Sequence, residues 1–204
     1  MTAGRGIVHE EYHSKEFSRE GGIFEMCQLW VNLPKKYKLT KPKYQPILKD
    51  QIPTITLPLK ENSEGKEATL ATVRLISGDL DGTKGAAETF SPVQMWEVVF
   101  PDSGNEVDIP FPVDHNCIVF VRKGAVQLLT GNNEKSSSLK RQDVAIMHID
   151  GSKFLRIRAD EANTSLLIMG GEPLNDPIVA QGPFVMNTRN EIQQAMVDYQ
   201  SGRF

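Results

Sequence analysis

The sequence is poor in the features that usually assign a chain quickly. Cysteine occurs only at Cys27 and Cys117, too few for a disulfide framework or a four-cysteine zinc site. Two isolated thiols fit an intracellular protein that keeps them reduced. No apolar run is long enough to span a membrane, and Met1–Val8 is too short and polar to act as a secretion signal. Neither charge sign dominates: the net charge of −3 leaves no broad basic footprint for DNA or RNA. The one basic cluster, Lys35-Lys36-Tyr37-Lys38 through Lys41 and Lys43, is interrupted by Pro42 and followed by Pro46, and reads as a solvated connector. There is no internal repeat and no low-complexity segment. What remains is enough apolar material, 39% of 204 residues, to bury a core in one large domain or two small ones.

Histidine is also scarce, and its placement is informative. Two of the four histidines fall in the first thirteen residues, beside a carboxylate: His9-Glu10-Glu11-Tyr12-His13. In an extended strand the period of two puts His9, Glu11 and His13 on one face, with Glu10 and Tyr12 on the other. An imidazole and a carboxylate so spaced reach one cation from one side. The same five residues spell H-E-x-x-H, a zinc-protease signature that requires a helix, with Glu10 as general base. Gly4, Gly6 and the β-branched Ile7-Val8 favour a turn followed by a strand instead. Gly4-Arg5-Gly6 is accordingly a tight turn, not a phosphate cradle.

Strands dominate the rest. His13–Gly22 is charged and loop-like. Phe24–Leu33 is apolar, aromatic and free of breakers, so a strand is expected there. Prolines 34, 42, 46, 53 and 58 make residues 34–66 an extended connector. Short strands then follow at Leu70–Ile76, Val93–Phe100, Asn105–Ile109, Cys117–Val121, Ala125–Thr130, Asp143–Ile149, Phe154–Arg158 and Thr164–Met169. Turn residues separate them, including Ser77-Gly78, Lys123-Gly124 and Gly131-Asn132. Many short strands with such punctuation indicate an antiparallel sandwich or small barrel. Gln94, Trp96 and Glu97 blur the alternation of Val93–Phe100, so no inner face is assigned there. Ser136-Ser137-Ser138 reads as an exposed loop. Thr188-Arg189-Asn190-Glu191 has the form of a capping box, followed by Ile192, Ala195, Met196 and Tyr199 at helical spacing and by Gly202 as a stop. His115 and His148 each stand alone and read as single surface or core histidines. Cys27 and Cys117 read as small core hydrophobes.

Three blocks carry a family resemblance. Met1-Thr2-Ala3-Gly4-Arg5-Gly6-Ile7-Val8-His9-Glu10-Glu11 resembles the M-T-A-G-x-G-I-x-H-x-E block of the pirin family. Leu29-Trp30-Val31-Asn32-Leu33-Pro34, with Pro42 and Tyr44-Gln45 after it, is similar to a second block. Gly171-Glu172-Pro173-Leu174, Pro177-Ile178-Val179 and Gly182-Pro183-Phe184-Val185-Met186-Asn187-Thr188 are similar to the closing one.

The resemblance implies an all-β bicupin, two barrels of jelly-roll type, whose first barrel holds one iron through three histidines and one glutamate. His9 and Glu11 then match the third and fourth ligands, with Glu11 also the candidate catalytic residue. The first two ligands belong to an H-x-H block that the family carries upstream of the M-T-A-G block. The expectation is therefore a partial first cupin over residues 1–60, a complete, metal-free second cupin over 61–175, and a closing loop and helix over 176–204. Two donors are too few for a tight Fe(II) site, and His13 is the candidate third.

Two functions follow from the resemblance. One is an interaction protein linked to a metal, a transcriptional co-regulator without enzymatic activity, resident in nucleus or cytoplasm and partnered by a transcription or signalling factor. The other is an Fe(II)-dependent quercetin 2,3-dioxygenase. Exposed barrel edges would also permit a homodimer.

Overall fold

The computed structural model describes residues 1–57, 70–129, 136–148 and 151–204. The chain forms two compact units. One joins Met1–Gln45 to Leu174–Phe204, and the other is the continuous stretch Pro46–Pro173.

In chain order the elements are α1 (Lys15–Glu20), β1 (Thr54–Leu57), β2 (Ala71–Ser77), β3 (Asp79–Leu80), β4 (Thr83–Lys84), β5 (Val93–Phe100) and β6 (Glu106–Pro110). Then come β7 (Asn116–Lys123), β8 (Ala125–Leu129), β9 (Ser136–Lys140), β10 (Val144–Met147), β11 (Phe154–Ala159) and β12 (Thr164–Gly171). The chain closes with β13 (Val179–Gln181), β14 (Phe184–Met186) and α2 (Arg189–Gln200).

The Pro46–Pro173 unit is a jelly roll. A six-stranded sheet runs in the order β1-β2-β5-β12-β7-β10 and a four-stranded sheet in the order β6-β11-β8-β9, every pairing antiparallel. Alternation decides which face is buried: Val73 and Leu75 of β2, Trp96, Val98 and Phe100 of β5, and Val119 and Val121 of β7 point into one core. Ile109, Val126 and Ile157 close that core from the second sheet. Each such buried aliphatic side chain contributes about 1.5–3 kcal/mol relative to exposure, so the core dominates this unit's stability. The opposite face of β5 presents Glu97, whose carboxylate takes Arg74 Nη1 at 2.6 Å and also binds Arg122.

Several expectations need correction. Phe24–Leu33 is not a strand, although its composition favours one: an extended backbone is stable only beside a neighbour that takes its hydrogen bonds, and no ladder includes it. His9 likewise lies outside any strand. The supposed loop after His13 contains α1, where Ser14 Oγ accepts from Phe17 N and Gly21, at φ +70°, ends the helix. Residues 136–138 are part of β9, paired to β8. β1 forms within the proline-rich stretch, between Pro53 and Pro58. Pro58, Thr130, Gly131-Asn132 and Ile149 lie outside the described residues.

The other unit is held by short-range devices. Backbone hydrogen bonds link Thr2 to Lys43 in both directions. Arg5 N donates to Thr40 O at 2.9 Å, and Gly6 N to Ala3 O at 3.0 Å, closing the expected turn. Gly4, at φ +54°, is required there, because a Cβ would stand 2.1 Å from Thr40 O. Lys38 is not solvated as its cluster suggested. It is buried, bonded through Nζ to Asn32 Oδ1, and desolvation pulls its pKa down against the opposing pull of Asp176 and Glu191.

The capping box forms as expected. Glu191 N donates to Thr188 Oγ1 at 3.2 Å, and Glu191 Oε2 accepts from Thr188 N at 2.8 Å and from Asn187 N at 3.0 Å.

Candidate metal-donor pair and the second barrel

His9 and Glu11 do come together. His9 Nε2 lies 3.5 Å from Glu11 Oε1, although neither residue belongs to a strand. Both side chains are open to solvent, 42% and 65% exposed. Glu10 points elsewhere, its Oε2 accepting from Tyr12 Oη at 2.6 Å, and that bond to a carboxylate raises the phenol's pKa. Residues 9–13 are not helical, so the protease geometry does not form.

His13 does not join the pair. Its ring meets Phe24 edge-on at 4.7 Å between centroids and Phe17 at 5.2 Å, and the two phenyl rings are 5.8 Å apart. The physical cause is local: Ser14 caps α1 one residue later, and the His13 ring is taken up by an aromatic trio with Phe17 and Phe24. Among the described residues no three His, Cys, Asp or Glu side chains gather where they could hold a metal. An iron site of the kind implied by the resemblance needs at least three protein donors. The described residues supply two adjacent ones, so they do not fit the ion unaided.

In the jelly roll, His115 is nearly buried and its Nδ1 lies 2.7 Å from Gln94 Oε1. His148 is exposed beyond the end of β10. Cys117 is a core residue, as expected, with its thiol pushed up to about 12 by burial, which keeps it protonated and inert. Cys27 is exposed, contrary to expectation, because the segment that carries it builds no sheet. The Gln94–His115 pairing escaped sequence reading. Gln94 lies on β5 and His115 just before β7, strands that β12 separates in the sheet, and only a known topology would have signalled it.

Comparison with known proteins places the chain. Residues 98–204 match the Pirin C-terminal cupin domain. A Pseudomonas aeruginosa protein with the provisional name quercetin 2,3-dioxygenase is 38% identical over 204 residues, all of this chain and 65% of that protein. Human pirin is 30% identical over 203 residues, covering 100% of this chain and 63% of pirin. The crystal structure of a quercetin 2,3-dioxygenase from Acinetobacter baumannii superposes with a TM-score of 0.84 at 40% identity, over 100% of this chain and 65% of that one. The chain thus spans 63–65% of the length of these relatives. Matching blocks, matching cupin fold and family domain agree: the chain belongs to the pirin family.

Proposed function

We propose that this chain acts as an interaction protein of the pirin family, a transcriptional co-regulator that is linked to a metal but is not itself an oxygenase. One observation carries this reading: His9 and Glu11 are adjacent and solvent-open, and no third donor joins them among the described residues. A pair of that kind captures a transition metal weakly and reversibly, which suits sensing better than turnover. Support for a protein partner comes from the segment around Trp30. Ile23, Phe24, Met26, Trp30 and Val31 are all more than half exposed, an unusual density of bare apolar side chains for a free surface. The partner is a transcription or signalling factor, met in the nucleus or cytoplasm.

A second reading rests on the 40% identity to a solved quercetin 2,3-dioxygenase. In it Fe(II) is the resident metal, His9 and Glu11 are two of its ligands, and Glu11 is the candidate proton acceptor; the remaining donors come from polypeptide beyond the residues described. Oxygen uptake with quercetin separates the two. The interaction reading expects the Fe(II)-treated chain to consume oxygen no faster than the same iron free in buffer. Turnover that depends on both His9 and Glu11 would establish the oxygenase.

A further inference from the structure

The packing of Lys38 accounts for only part of the basic run that begins at Lys35. Between Glu25 and Asp50 the sequence has no Asp or Glu but six lysines. The fold sorts those at 35–43. Lys38 is buried, with Asp176 and Glu191 near enough to favour its charge. Both carboxylates are already engaged: Asp176 Oδ2 accepts from Lys35 N at 2.8 Å, and Glu191 Oε2 serves the cap of α2. Lys36, Lys41 and Lys43 stay exposed, as does Arg5. Arg5, Lys36 and Lys41 form no ion pair among the described residues.

The backbone keeps these charges close. Tyr37 N donates to Pro34 O at 2.8 Å, Lys38 N to Lys35 O at 3.2 Å and Thr40 N to Tyr37 O at 3.1 Å. Successive turns of this kind advance about 2 Å per residue, so Lys36 and Lys41 stand roughly 10 Å apart along the chain, close to one Debye length at about 0.1 M salt. At that separation their potentials add, whichever way each side chain turns. Arg5 N bonds Thr40 O, and Thr2 and Lys43 exchange backbone hydrogen bonds of 2.7 and 3.0 Å, which brings Arg5 alongside the run. Lys36 Nζ lies over the Tyr37 ring, 5.0 Å from its centroid. That contact steadies the ammonium without neutralising it. Apolar side chains stand among the cations: Leu39 is 65% exposed and Tyr44 66%.

We propose that Arg5, Lys36, Lys41 and Lys43, with Leu39 and Tyr44 among them, form a docking surface for a short acidic protein segment that also carries apolar side chains. The proposal rests on the interaction reading above and supplies the chemistry of the partner's segment. Charge complementarity selects an acidic guest, because a local surplus of cations stands on a chain whose net charge is −3. The same overall charge disfavours a long polyanion such as DNA or RNA, which would meet the acidic remainder of the surface. Leu39 and Tyr44 give apolar side chains of the guest a place to bury, which a purely solvated lysine cluster would not offer.

The full chain is titrated into a fluorescein-labelled peptide of Glu and Asp interspersed with Leu and Phe, and fluorescence anisotropy is followed. Saturable binding that weakens as salt is raised is the expected result. The Lys36→Gln, Lys41→Gln double variant and the Leu39→Ser, Tyr44→Ser double variant should each bind roughly tenfold more weakly. Lys140→Gln with Lys153→Gln, which removes the same charge from exposed sites on the jelly roll, should leave the affinity unchanged. Circular dichroism checks that each variant is folded. The proposal is overturned by an absence of saturable binding, by equal binding of a peptide with Ser in place of Leu and Phe, or by undiminished affinity in the Lys36 and Lys41 variant. Tighter binding of single-stranded oligothymidylate would overturn it too, by assigning the surface to nucleic acid. None of these outcomes bears on oxygen uptake with quercetin, so this surface and the interaction reading fail separately.

Discussion

The ring of Phe204, the last residue, lies over the α-carbon of Gly6: a Cβ placed on Gly6 would be 2.4 Å from Phe204 Cδ1. Phe204 is itself part of a cluster, 5.7 Å from Tyr199 and 6.1 Å from Phe184 between centroids. The two ends of the chain therefore meet through a glycine that must lack a side chain, three residues before His9.

Gly6 also has φ +136°, a backbone state that other residues enter only under strain. We predict that Gly6→Ala lowers stability by about 2–3 kcal/mol, backbone strain and steric conflict acting together. Adding Phe204→Ala removes the conflict but not the strain, so it restores only part of the loss. Urea denaturation of the single and double variants checks both statements.

Glu97 sits between two arginines on the sheet, 12% exposed, with Arg74 and Arg122 each about one-third exposed. Removing the carboxylate leaves two guanidinium groups facing each other in a half-buried place. We predict a loss of about 2 kcal/mol for Glu97→Ala, below the range for a fully buried pair because solvent screens the arginines. The bidentate Arg156–Asp108 pair, with both side chains more than one-third exposed, sets the contrast. Asp108→Ala should cost clearly less than Glu97→Ala, since water screens an exposed pair. Chemical denaturation of the two variants side by side gives the comparison.

The capping carboxylate predicts an acid response. The hydrogen bond to Thr188, then the backbone donors of Asn187 and Thr188, and lastly the charge of Lys35, hold the Glu191 pKa below its ordinary value of 4.5. A carboxyl with a lowered native pKa binds fewer protons when folded. Its contribution is therefore complete above the ordinary value and is lost as pH falls through the lowered one. Amide exchange in α2, measured down the acid range, should lose protection in that window. Glu191→Gln should remove this part of the pH dependence, while the wild type and variant converge at the acid end.

How much of this was legible from sequence depends on whether a pattern is satisfied locally. The Thr188 capping box is local, and it formed as read. Val93–Phe100 was read with its observed boundaries, since β-rich composition and turn residues delimit a strand whatever it pairs with. Its inward face, with Trp96 at the centre, was not assigned, because the neighbours that bury it are β2 and β12, distant in sequence. Phe24–Leu33 shows the converse: strand-like residues without a ladder stay irregular. At the candidate site the expected strand did not form, yet His9 and Glu11, two residues apart, still lie 3.5 Å from each other. His13 does not join them, because Ser14 caps α1 one residue later and the His13 ring packs with Phe17 and Phe24.

Among the described residues His9 and Glu11 stand as two adjacent candidate donors with no third beside them, and the proposed function rests on that count. Anaerobic titration with Fe(II), followed by gel filtration and metal analysis of the protein peak, tests it most directly. The account predicts far less than one iron retained per chain, with His9→Ala and Glu11→Ala abolishing what weak binding there is. Retention of close to one iron per chain through the column, lost on His9→Ala, would contradict it.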